Sequence, residues 1–227
     1  MDLKKDFLKE AKKIERKGLD KLLEYLAETD FYTAPASTKY HNSFESGLIM
    51  HSLAVCDVAK ELAEITGLEI DEQSIILCGL FHDVCKVDMY VLDDEPATGP
   101  QINYMLDLCE KAEVDPPEKK QRTKFHISTV ISALKEDRPM PEYKSSYKVV
   151  DQLPMGHGEK SVYILQKYIN LTDEEALAIR WHLGGFDPGV HFNYPSGFAQ
   201  KQAFKENKLV ALICAADIAA TYLWDAV

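Results

Sequence analysis

The chain has no CxxC pair, no glycine- or serine-rich tract, and no apolar run long enough to span a bilayer. Its five cysteines are Cys56, Cys78, Cys85, Cys109 and Cys214, an odd count set mostly in apolar helical contexts. That suits reduced core thiols rather than a disulfide framework. The longest apolar stretch, Leu209 to Ala216 and its continuation, is broken by Asp217. The opening residues Met1-Asp2-Leu3-Lys4-Lys5-Asp6 alternate in charge and lack the apolar centre of a signal peptide, so a cytoplasmic location is expected. Positive charge is also scarce. Lysine and arginine number 26 against 37 acidic residues, a net charge of −11 with histidines neutral. This argues against a surface that tracks the phosphates of long duplex nucleic acid. No membrane partner is expected either. A small phosphorylated ligand stays open, because bound cations reverse the local charge.

What is present is helical periodicity. With 227 residues the chain can bury one sizeable core. Leu3, Phe7, Leu8, Ala11 and Ile14 recur at helical spacing, and the pattern resumes at Leu19 after Gly18. Asn42 or Ser43 is the expected cap of a long helix running to about Ile65 and closed by Gly67. Asp71 opens the next helix, and Thr172 with Glu175 forms a capping box for a later one. The stretch Phe186 to Phe198 reads as a loop, since it holds Pro188, Gly189, Pro195 and Gly197. A last apolar helix covers about Asn207 to Trp224. Tyr147 to Leu153 reads as one arm of a short β-hairpin. The expected architecture is all-α: one domain with a core over about 40–92 and 146–225, N-terminal helices over 2–29, and an insertion over about 92–145. That insertion is proline-rich and reads equally as a substrate-facing lid or a solvated excursion.

The chemistry-bearing residues are few and stand in apolar surroundings. Phe81-His82-Asp83-Val84-Cys85-Lys86 places an imidazole beside a carboxylate, with a lysine one turn on. His51 lies among the apolar positions of the long helix. Taken alone, His51 or His182 reads first as a satisfied core histidine. His157 is flanked by Gly156 and Gly158, which suits close backbone approach. Asp217 interrupts an apolar helix, where a carboxylate is costly to bury without a partner such as a metal ion. Cys85 reads as a small buried hydrophobe rather than a nucleophile.

The order His, His-Asp, His, His, Asp resembles the HD-domain superfamily. The matching residues are His51 in Gly47-Leu48-Ile49-Met50-His51-Ser52, His82-Asp83, and Asp217 after Ala216, and the resemblance spans roughly residues 40–222. It implies a helical bundle in which His51, His82, Asp83 and Asp217 hold one metal ion. His157 and His182 match the added histidines of two-metal members, with Asp83 bridging. No GYP signature follows the His-Asp pair, and no nucleic-acid-binding module is evident.

The implied activity is metal-dependent hydrolysis of a phosphoester, that of a nucleotide or short oligonucleotide, by an activated water. The cofactor would be one or two divalent ions drawn from Mn²⁺, Fe²⁺, Mg²⁺, Zn²⁺ or Ni²⁺. Asp83 and Lys86 are the expected catalytic residues, with Lys86, Arg180 and His191 as candidate substrate contacts. Tyr90, Tyr147, Trp181, Phe186, Phe192 and Tyr194 are aromatics that could stack a base, although Trp181 reads better as core. The same ligand order fits a mixed-valent di-iron oxygenase resembling inositol oxygenase. A third reading is a non-catalytic nucleotide-binding module.

Overall fold

A computed structural model describes residues 2–38, 42–144, 146–187, 190 and 194–224, with backbone alone at 194–196 and 224. Two amphipathic helices come first, α1 (Leu3–Ala11) and α2 (Leu19–Glu28). The ring of Phe7 meets those of Phe31 and Phe81 edge-on at 5.2 and 5.6 Å, which ties α1 into the main core. Helix α3 (Gly47–Thr66) follows, closed as expected by Gly67 at φ 62°. Its start is later than the sequence suggested. Asn42 does not cap it. It takes φ 46°, and its carbonyl accepts the Ala36 N–H at 3.0 Å, so it closes the preceding loop instead. Ser46 stands at the N-cap position without a side-chain capping bond.

Helix α4 (Glu72–Phe81) begins at Asp71, whose carboxylate accepts the Ser74 N–H at 3.1 Å. All eight of its residues from Ser74 to Phe81 are buried. A Cβ on Gly79 would lie 2.6 Å from the Cα of Cys56, so only glycine lets α4 approach α3 this closely. Regular helix ends at Phe81, and a 3-10 turn runs from Val84 to Lys86.

The chain divides into two compact units, residues 1–90 with 150–227, and residues 91–149. The second holds α5 (Gly99–Lys111) and α6 (Lys124–Lys135), each opened by a threonine cap. Met105, Cys109, Ile127 and Val130 form its own small core. His126 is buried there too, its ring 5.2 Å from that of Tyr143. The strand Tyr147–Val149 (β2) pairs with Tyr90–Leu92 (β1), and the Asp93 N–H donates to the Ser146 carbonyl at 2.8 Å. This corrects the expected hairpin. No tight turn joins the arms, because α5 and α6 lie between them.

In the first unit the chain continues through α7 (His157–Leu165) and α8 (Asp173–Arg180), the latter opened by the full Thr172–Glu175 capping box. A 3-10 turn at Gly184–Phe186 leads on to α9 (Tyr194–Glu206) and α10 (Lys208–Ala219). Helix α9 overturns the loop expected through residue 198. Pro195 falls in its first turn, where a missing N–H costs nothing. Asn207 caps α10, which is buried on most of its surface, and a π-helical turn (Ala220–Trp224) follows. All five cysteines are free and buried. Among the described residues no helix is long and apolar enough to cross a membrane.

Candidate metal centre

Five segments converge on one point in the first unit. His51 comes from the first half of α3, and His82 and Asp83 from the end of α4. His157 opens α7, His182 follows α8, and Asp217 lies in the last turn of α10. The Gly158 backbone makes the α7–α8 approach possible, since a Cβ there would sit 2.2 Å from the Arg180 carbonyl oxygen. The close approach read from the flanking glycines is therefore real, and its partner is the helix that leads to His182.

The two oxygens of Asp83 face different partners. Oδ2 lies 3.8 Å from His51 Nε2 and 3.5 Å from His82 Nε2. Oδ1 lies 2.7 Å from His157 Nε2 and 3.5 Å from His182 Nε2. Beyond Asp83, His51 Nε2 is 3.1 Å from Asp217 Oδ1 and 3.3 Å from His82 Nε2. The ligating atoms of His51, His82 and Asp217 form one compact group. Those of His82, Asp83 and His182 form a second, and those of Asp83, Cys85 and His157 a third.

Backbone carbonyls fix which nitrogen faces inward. His82 Nδ1 donates to the Gly79 carbonyl at 2.9 Å, and His182 Nδ1 donates to the Ile179 carbonyl at 2.6 Å. A carbonyl can only accept, so each Nδ1 carries a proton, and the neutral tautomer compatible with that bond would turn the lone pair of Nε2 into the cluster. This is the tautomer of a metal-ligating histidine, held by the outer hydrogen bond such ligands need. His182 Nε2 is wholly buried and has no hydrogen-bond partner among the described residues. A buried acceptor without a donor is costly, and a cation satisfies it. These residues fit a divalent ion.

Charge in the site is strongly perturbed. Burial pushes the pKa of His82 down to about 3, so its ring stays neutral. Burial favours the neutral acid of Asp83, but Lys86 and His82 outweigh it and hold the carboxyl well below the usual range. Lys86 Nζ lies 2.6 Å from Asp83 Oδ2, and the lysine is itself buried. Asp217 is lowered as well, against burial, by His51 and the neighbouring imidazoles. For His157, burial opposes protonation, but Cys85 and Asp83 raise its pKa to about 10. An ion bound at Nε2 would have to displace a proton there.

Of the other candidates, Arg180 is held elsewhere. Its guanidinium reaches Glu159 and Asp187, each at 2.5 Å, and stacks over the buried Trp181 ring at 3.8 Å. Trp181 is core, as its sequence context suggested. Phe186 is exposed. His191 and Phe192 lie outside the described residues, as does the side chain of Tyr194. Cys85 is the small buried side chain the sequence suggested, with a neighbour the sequence did not suggest. Its thiol is buried, but Sγ lies 3.3 Å from His157 Nδ1 and 3.7 Å from Nε2. The only signal was its place two residues after Asp83.

Residues 48–102 match the HD domain family. A 66-residue stretch is 35% identical to the dihydroneopterin 2′,3′-cyclic phosphate phosphodiesterase of Methanocaldococcus jannaschii, over 27% of this chain and 26% of that protein. The chain thus spans about a quarter of the length of the curated relative it matches. No solved structure matches it. The family match covers His51, His82, Asp83 and Lys86, and the fold brings His157, His182 and Asp217 to the same point from outside it. Over residues 48–102 the chain is therefore similar to the HD domain family.

Proposed function

We propose that the protein is a metal-dependent phosphodiesterase that hydrolyses a small phosphoester, of nucleotide size, at a two-ion centre. The observation that carries this reading is the two-sided environment of Asp83, with one oxygen toward His51 and His82 and the other toward His157 and His182. His51, His82, Asp83 and Asp217 would hold one ion, and Asp83, His157 and His182 the other. Divalent ions bound there would supply an acidified water and compensate charge on the phosphoryl oxygens. The protein's own part is preorganisation. The Gly79 and Ile179 carbonyls keep the rings of His82 and His182 in register, so little reorganisation is needed at the reacting centre. Lys86 fixes the Asp83 carboxylate through its ion pair and sets a positive charge beside the site, where an anionic substrate is favoured.

The activity printed for the archaeal relative makes a cyclic phosphodiester the first substrate to try. The test is hydrolysis of bis-p-nitrophenyl phosphate and of 2′,3′-cyclic and linear nucleotides, with Mn²⁺, Mg²⁺, Fe²⁺ or Zn²⁺ added to metal-free protein. His82→Ala and Asp83→Ala should each lower turnover by about 1,000-fold or more. Undiminished turnover in both variants would sink the proposal. Oxygen uptake by iron-loaded protein, with no hydrolysis under any metal, would point to the di-iron oxygenase instead.

A further inference from the structure

We infer that Arg180 is a positioning residue for the ion held by Asp83, His157 and His182, its guanidinium fixing how those two histidines stand to each other. This rests on the two-ion reading above and gives a role to a side chain whose nitrogens are taken by carboxylates. Arg180 ends α8, two residues before His182. Its two terminal nitrogens take different partners. One meets Glu159 Oε1 at 2.5 Å and the other Asp187 Oδ2 at 2.5 Å. Glu159 lies in the first turn of α7, two residues after His157. Asp187 is buried and closes the 3-10 turn that follows His182, its N–H donating to the Gly184 carbonyl at 3.3 Å. One planar fork therefore joins the start of the helix that presents His157 to the turn that leaves His182. The buried Trp181 ring, 3.8 Å away, stacks on the fork and limits its freedom to swing aside.

The glycines on either side of His157 are an independent observation. A Cβ on Gly158 would lie 2.2 Å from the Arg180 carbonyl oxygen, and one on Gly156 would lie 2.1 Å from Glu159 Oε2. Gly158 thus makes room for the Arg180 backbone, and Gly156 for the carboxylate that the guanidinium holds. His157 stands between them. Its Nε2 and that of His182 face the same oxygen of Asp83, at 2.7 and 3.5 Å. A shift of α7 against the end of α8 would change that pairing directly.

The tie has a selective consequence. His51, His82 and Asp217 come from α3, the end of α4 and α10, whereas both carboxylates on the fork belong to the segments beside His157 and His182. Loosening Arg180 therefore acts on one ion and spares the other. Lysine at this position carries the same charge but offers it at a single point, so it can meet only one of the two carboxylates.

Calorimetric titration of metal-free protein with Mn²⁺ tests this. The unaltered protein should take up two ions, and His157→Ala identifies the one in question by losing it. Arg180→Lys should bind that ion about 10–100-fold more weakly and the other as before. Glu159→Ala frees the α7 arm and leaves the Arg180–Asp187 pair in place. In about 0.5 M salt, which screens its change of charge, it should weaken the same ion by about 10-fold. Native affinity for both ions in both variants would overturn the inference and leave the two-ion reading standing. So would an equal loss at both ions, the mark of general damage to the fold. A raised KM for bis-p-nitrophenyl phosphate with both ion affinities unchanged would also overturn it, and would make Arg180 a substrate contact. If Arg180→Lys does not melt cooperatively, Glu159→Ala decides alone. Uptake of one ion only by the unaltered protein would remove the two-ion reading, and this inference with it.

Discussion

At the scale of single residues, Lys86 separates two roles that are easily confused. It is buried and paired with Asp83, so truncating it removes a positive charge beside the ligands without removing a ligand. Lys86→Met is expected to keep ion binding, or to tighten it as a neighbouring cation is lost, while turnover falls by about 100-fold. Calorimetric ion titration alongside steady-state kinetics checks both halves, and a variant that cannot bind ions would show Lys86 to be structural. The imidazoles and carboxylates could be named from sequence because each is conspicuous in an apolar helix and their order follows a known pattern. The contact between Cys85 and His157 could not. A thiol between Val84 and Lys86 has the signature of core packing, and only the approach of α7 places His157 against it.

At the scale of elements, one ion pair fastens the start of the chain to the ligand-bearing helices. Glu175 of α8 is fully buried and receives both Arg16, at 2.5 Å, and the Ser74 hydroxyl of α4, at 2.7 Å. Glu175→Ala leaves both partners behind and should cost about 3 kcal/mol, measured by denaturant unfolding. Burial opposes the Glu175 charge, but Arg16 and Ser74 lower its pKa below the ordinary 4.5. A depressed carboxyl stabilises the fold above its unfolded pKa and loses that contribution as pH falls. The stability gap between the native protein and Glu175→Gln should therefore be full at neutral pH and shrink below pH 4.5. A gap unchanged down to pH 3 would rule out the linkage. Such a pair is illegible in sequence, since its partners lie far apart in the chain. Elements with local signals were easier. The Thr172 capping box placed α8, whereas Pro195 and Gly197 hid α9 because the same residues serve loops and first helical turns alike.

At the scale of the whole molecule, helical character, the apolar last helix and the point of convergence were readable from periodicity and ligand order. Of the strand pair, the arm at Tyr147–Val149 was readable and its partner at Tyr90–Leu92 was not, because two helices separate the arms. The proposed ions should also act on global stability. A free ion concentration about 100-fold above the dissociation constant adds about 2.7 kcal/mol, or roughly 5–10 °C in melting temperature for a chain of this size. Melting curves with Mn²⁺ or Zn²⁺, before and after a chelator, would register it. An unchanged curve would count against a resident metal. One further property follows from how His82 and His182 are held. Each hangs on a carbonyl three residues earlier in the helix it terminates, so the last turn and the ligand's aim are one and the same bond. Helix ends fray on their own, without the rest of the fold opening. Release of the proposed ions is thus expected to follow the breathing of two short segments rather than the unfolding of the whole chain.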